Sequence, residues 1–211
     1  MPFTYKDLYK YAEDQAAKRE TAEDPRYMFV PLHSLVAKVI SSVSWLSDII
    51  VHPISETDRT DRVWGMYERI GGPDPYLRVP QDTVYLFHGA WQNTCYKRFV
   101  LCKEMQHVFD HVSKRTSTHR GYELLKEEIE DNQDVLTRPP SESAAFESEI
   151  DAQWKALLLL CPKPQRDSII RDGLDVSTIR IRYRIPDVIV SNLLGSGYND
   201  AYEEYVKDKQ P

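Results

Sequence analysis

The sequence predicts an α+β fold, mostly helical, with a small β-sheet. Three observations carry that prediction. Long stretches place apolar residues at helical spacing. Two short β-branched or aromatic runs, Tyr76 to Val79 and Thr83 to Phe87, flank Pro80-Gln81-Asp82 in the manner of two strands. The 211 residues are 41% hydrophobic and 11% aromatic, enough for one packed core with or without a small appended lobe.

In chain order, Thr4 with Asp7 three residues on reads as a capping box opening a helix that runs to about Lys18. The polar stretch Glu20 to Asp24, ending at Pro25, reads as a loop. From Leu32 the apolar positions Leu35, Val36, Val39, Ile40, Val43, Leu46, Ile49 and Ile50 predict one helix that Pro53 ends. A shorter helix carrying Val63, Met66, Tyr67 and Ile70 is expected to stop at Gly71-Gly72. After the two strands, helical patterns run from Thr94 to about Ser113 and from Tyr122 to about Val135. Ser141, just after the break at Pro139-Pro140, is a candidate N-cap for a helix reaching Leu160, closed by Pro162 and Pro164. Ile179, Ile181, Tyr183 and Ile185 alternate with Arg180, Arg182 and Arg184, which favours a strand. Ser177 as a cap favours a helix, and a helix is expected here. One or two short helices should follow through the Gly195, Gly197 and acidic Tyr-rich tail.

Composition narrows the function classes. A net charge of -6, from 27 basic and 33 acidic residues without a long single-sign block, argues against a dedicated nucleic-acid binder. Cys95, Cys102 and Cys161 cannot all pair within the chain and form no C-x-x-C, so free thiols in a reducing compartment are expected. No export signal is visible at the N-terminus, and the expected location is cytoplasmic. The most apolar stretch, Leu35 to Val51, contains Lys38 and Asp48 among several serines, and reads as a buried helix rather than a membrane span.

The chemistry-bearing segment is R-F-V-L-C-K-E-M-Q-H, Arg98 to His107, followed by Asp110 and His111. On a helix, positions four apart share a face, about 6 Å apart along the axis. Zinc peptidases use this spacing for two histidines, with a glutamate after the first that activates the metal-bound water. Glu104 and His107 stand where that pattern wants them, and Lys103 holds the first ligand position. A lone E-x-x-H is common in charged helices. A second segment, E-I-D-A-Q-W-K-A-L-L-L-L-C-P from Glu149 to Pro162, gives it company.

Together the two segments resemble the ImmA/IrrE family of zinc metallopeptidases, whose members carry R-F-x-x-x-H-E-x-x-H and then E-x-x-A-[ND]-x-F-A-A-x-L-L-x-P. Arg98, Phe99, Glu104, His107, Glu149, Ala152, Ala156, Leu159, Leu160 and Pro162 match; Gln153 and Lys155 depart. Val176-Ser177 with Arg184-Ile185 resembles the family's V-S-x-x-A-V-x-x-R-L element. The resemblance covers about residues 76 to 186, and the stretch from Lys114 to Pro140 is longer than it leads one to expect. It implies a zincin-type core with a small sheet and a C-terminal helical lobe. The chain then divides into an N-terminal helical region (1–75), a metallopeptidase-like core (76–165) and the lobe (166–211). It also implies His107 and Glu149 as metal ligands and Glu104 as general base.

Lys103 breaks the ligand set. A catalytic zinc needs about three protein ligands and an open place for water, and a lysine nitrogen is protonated at neutral pH unless heavily desolvated. The expectation is therefore an inactive or impaired relative, holding no cofactor, with the Lys103 ammonium filling the metal place between Glu104 and Glu149. Such a chain would act as a protein-binding regulator through its former substrate cleft. The partner class that the resemblance implies is a helix-turn-helix repressor or a toxin-like protein, in a bacterial or phage setting. One alternative keeps an active zinc endopeptidase, with His111 as compensating ligand. The other makes Arg180, Arg182 and Arg184, after a turn at Gly173, the second half of a DNA-binding helix-turn-helix. The blander reading of those arginines is a partner-facing or solvated surface, and of Cys102, about 140° from His107 on the helical wheel, core packing.

Overall fold

The computed structural model describes residues 2–20, 28–55, 65–70, 82–110 and 144–207. Within them the chain is α+β, with eight α-helices and a three-stranded sheet. Helices α1 (Tyr5–Glu20) and α2 (Leu32–Ser42) precede strands β1 (Asp48–Ile54), β2 (Gly65–Ile70) and β3 (Thr83–Gly89). Helix α3 (Thr94–Gln106) continues as a 3-10 turn (His107–Phe109). Helices α4 (Ala144–Leu160), α5 (Lys163–Arg171), α6 (Val176–Tyr183), α7 (Asp187–Leu194) and α8 (Gly197–Tyr205) complete the chain.

The capping box forms as the spacing predicts. Thr4 N and Thr4 Oγ1 donate to Asp7 Oδ2 at 2.8 and 2.7 Å, and Asp7 N donates back to Thr4 Oγ1. Helix α1 buries Leu8, Tyr9, Ala12 and Ala16, one face at helical spacing.

Two predicted helices are corrected. The apolar run from Leu32 to Pro53 is not one helix: α2 ends at Ser42, and Val43 turns extended at φ -90, ψ 107. The β-branched Ile49, Ile50 and Val51 then form β1, where branching at Cβ suits the pleat. Pro53 sits inside β1, which is tolerated because β1 is an edge strand. Met66, Tyr67 and Ile70 likewise lie on a strand, β2, rather than a helix. Three apolar residues at helical spacing were outweighed by antiparallel pairing of β2 with β3.

The sheet order is β1-β3-β2, with β1 parallel to β3 and β2 antiparallel to it. The central β3 is buried along most of its length, as a strand with neighbours on both edges should be. The expected strand Tyr76 to Val79, the helix Tyr122 to Val135, the Ser141 cap and His111 lie outside the described residues.

Helix α3 lies at the centre. Asn93 caps it by accepting from Tyr96 N at 2.9 Å. Its residues are buried nearly all round, from Arg98 to Met105. The helix ends at Gln106 rather than near Ser113, because the His107 N–H tightens onto the Glu104 and Met105 carbonyls. Against it packs α4, whose small Ala152 and Ala156 permit close approach; Cys102 Sγ lies 3.9 Å from the Ala156 carbonyl oxygen. The core cluster is continuous from Tyr5 of α1 to Ala201 of α8.

The expected helix at 177–186 is α6, although its cap is Asp175, which accepts from Thr178 N at 2.8 Å, and not Ser177. Two buried arginines fasten the C-terminal helices. Arg98 of α3 donates to the carbonyls of Val30, Tyr183 and Arg184, and Arg184 takes the left-handed conformation that ends α6. Arg166 of α5 donates to the Leu193 and Gly195 carbonyls at the end of α7. Each supplies charge-assisted bonds to helix-terminal carbonyls that would otherwise lack partners. No helix among the described residues is long and apolar enough to cross a membrane.

Candidate functional site

The two motif-bearing helices, α3 and α4, pack against each other and bring their charged residues together. Lys103 and Glu104 project from the last turn of α3, His107 from the 3-10 turn, and Glu149 from α4. Lys103 Nζ contacts Glu149 Oε2 directly and Glu104 Oε1 at 3.1 Å. His107 Nε2 lies 3.2 Å from Glu149 Oε1 and 3.8 Å from Glu104 Oε2. All four side chains are at most 18% exposed, so this is an embedded charge cluster and not a solvated helix face.

Asp110 and Ser148 complete the cluster, and sequence reasoning gave neither a role. His107 Nδ1 is 2.7 Å from Asp110 Oδ2, and Ser148 Oγ donates to the same oxygen. The carboxylate fixes the imidazole with Nδ1–H outward and Nε2 toward Glu149, the arrangement that orients metal-binding histidines. Nε2 itself makes no aligned hydrogen bond; the contact with Glu149 is electrostatic. The ring of Tyr67, from β2, packs edge-on against His107 with centroids 5.9 Å apart. The signal for Asp110 was its place three residues past His107; Ser148 shows only in three dimensions.

Electrostatics follow the geometry. Burial would depress the Lys103 ammonium, but the facing carboxylates of Glu104 and Glu149 outweigh it, and its pKa rises. Burial also opposes charge on His107. Glu149, the bond to Asp110 and Glu104 overcome it and lift its pKa from 6.5 to about 10. Burial would raise Glu149, yet Lys103 and His107 hold it well below the usual carboxylate range. Asp110 is lowered against its burial by the His107 bond. At neutral pH the centre is a lattice of alternating charges, each cation wedged between anions.

The residues as they stand do not fit a catalytic zinc. Two donors, His107 Nε2 and a Glu149 oxygen, face the hollow, but an ammonium fills the third corner. That leaves two protein donors where a catalytic zinc takes three. Among the described residues no group of three or more His, Cys, Asp or Glu is arranged to hold a metal ion. One oxygen of Glu104 is taken up by Lys103. It is also crowded from the sheet: a Cβ at Gly65 of β2 would overlap Val100 and come within 2.9 Å of Glu104 Oε1.

Cys102 is fully buried, its thiol pushed up to about 12 by burial, and packs on α4. Cys161 is buried too, Cys95 only partly, and all three are free. Lys155, where the family pattern has Phe, sets its ammonium 5.1 Å from the Tyr205 ring and 5.9 Å from that of Tyr5. Arg180 reaches Asp187 at 3.5 Å, and the Arg184 guanidinium lies 4.4 Å from the Phe29 ring centroid. Those arginines therefore border a mixed surface, not an uninterrupted basic helix. No protein-family model, curated protein or solved structure matches the chain.

Proposed function

We propose that the chain is a metallopeptidase-like protein of the ImmA/IrrE type, with a zincin-type core, in which an internal ion pair has replaced the catalytic metal. It serves as a protein-binding regulator through the former substrate cleft. The observation that carries this reading is the Lys103 ammonium lodged between Glu104 and Glu149 while Asp110 orients His107 beside them. A histidine oriented by a carboxylate beside two further carboxylates supports that reading, with the ammonium supplying the positive charge. What a closed charge centre of this kind can offer is a rigid wall for a bound segment. The resemblance points to a helix-turn-helix repressor or a toxin-like protein as partner.

Zinc titration by calorimetry into metal-free protein tests the centre. The unchanged chain is expected to take up no tight stoichiometric zinc, and Lys103→His is expected to bind one ion. Tight binding of one zinc by the unchanged chain would overturn the reading. Incubation with a repressor encoded beside it should give a complex and no cleavage. Cleavage that disappears in Glu104→Gln would make the chain an enzyme instead.

A further inference from the structure

The two most exposed large apolar side chains among the described residues, Val188 at 65% and Ile181 at 59%, lie on one groove. It is a depression of about 560 Å³ between the start of α3 and the α6–α7 corner, with Pro186 in its wall. Single exposed apolar residues need no explanation, and here two share one concavity. Among the described residues that line it, Arg180 and Arg184 stand against one acid, Asp187, in a chain whose net charge is -6. Thr94 and Cys95, the first two residues of the 13-residue α3, line it as well. Asn93 satisfies the Tyr96 N–H, which leaves those of Thr94 and Cys95 without an intrahelical partner at the positive end of the helix dipole.

We propose that this groove docks a segment of a partner protein in which a carboxylate stands beside aliphatic or aromatic side chains. Val188 and Ile181 take the apolar side chains. Arg180 and the open end of α3 take the carboxylate. The existing Arg180–Asp187 contact does not block this, because both side chains are about half exposed and the separation is 3.5 Å. Such an ion pair is worth little and yields to a better-aligned acceptor. Nucleic acid fits less well: a phosphate backbone has no use for an apolar floor and is repelled by Asp187 on the rim. This face is separate from the Lys103 centre, and the inference holds or fails independently of the reading given there.

A phage-displayed library of random dodecapeptides tests it. The library is selected on the immobilised full-length chain and depleted on the Arg180→Glu, Val188→Asp double variant. The expected result is enrichment of peptides with Asp or Glu close to Leu, Ile or Phe. Their synthetic forms should lose roughly tenfold or more in affinity, about 1.4 kcal/mol, for each single variant and when their acids are changed to amides. Thermal melts of the variants verify folding, and Ile181→Ser serves as a second apolar variant. Failure to enrich peptides that depend on these side chains overturns the proposal, as does enrichment of peptides without acids. Binding of a short DNA duplex that is lost in Arg180→Glu would assign the face to nucleic acid and overturn it equally.

Discussion

Two regions of the described residues concentrate charge, and they do so under opposite conditions. Around Lys103 the charges are buried, matched and locked by one another: Lys103 against Glu149 and Glu104, His107 against Asp110 and Glu149. At the α6–α7 corner Arg180 and Asp187 are about half exposed and set beside bare apolar surface. The first arrangement spends its interactions on internal fit, and the fold depends on it. The second contributes little to the fold and leaves its interactions for something else. Where a charge sits in this chain therefore predicts what its loss would disturb.

Breaking the buried centre should have the largest effect. Lys103→Met leaves two carboxyl groups facing each other beside His107 with their main compensation gone. Removal of one member of a buried ion pair costs about 3–5 kcal/mol, and urea unfolding should register a loss of that order. The comparison sharpens with a second change. Lys103→Met combined with Glu149→Leu removes the charge and its partner together, and should recover most of the loss. A Lys103→Met variant as stable as the unchanged chain would mean that the cluster is solvated and the contrast false.

The same centre sets a pH dependence. The His107 pKa is raised above its unfolded value of 6.5 to about 10. Its contribution is thus complete below pH 6.5 and is lost as pH rises toward 10, because the folded protein holds a proton that the unfolded chain releases. Glu149 works in the other direction: its depressed pKa gives stability above the ordinary carboxylate range that is lost as acid protonates it. Thermal unfolding should therefore show a decline between pH 6.5 and 10, of at least about 1 kcal/mol from the shift on His107. The decline should flatten in His107→Gln. A curve flat across that interval in the unchanged protein would remove the imidazolium from the account.

These differences also explain what could be read from the sequence. The cap at Thr4 and Asp7 was legible because it is local, three residues on one turn. Substituting Thr4→Ala should cost about 1 kcal/mol, a smaller effect than at the centre, measurable as a lowered urea midpoint. The meeting of Lys103, Glu104, His107 and Glu149 was legible only through the paired motifs, since no periodicity says that residues 103 and 149 touch. Strands β1 and β2 were misread as helix because what makes them strands is remote. Asp48 pairs with Thr83 and Ile70 with Thr83 from the other side. Ile179 to Ile185 alternates like a strand, and the helix there is enforced by the Asp175 cap and by Arg98 holding the Tyr183 and Arg184 carbonyls. Asp110 and Ser148 escaped because their role exists only once α4 lies against the end of α3.

The smallest expected effect on stability is the one that tests the other half of the contrast. Val188→Asp and Arg180→Glu change side chains that are about half exposed or more, each removing at most a surface ion pair or a partly covered methyl group. Surface changes of this kind shift stability by no more than about 0.5 kcal/mol, and urea midpoints should stay within that range. Yet the same substitutions should remove most of the affinity for acidic, apolar peptides. At the centre, sensitivity of the fold and rigidity of the site go together, because each charge is compensated mainly by its neighbours. At the corner they separate, because water already solvates what a partner would later cover. A large loss of stability from Val188→Asp would show that the corner is part of the packed core after all, and would leave the groove no surplus apolar surface with which to bind.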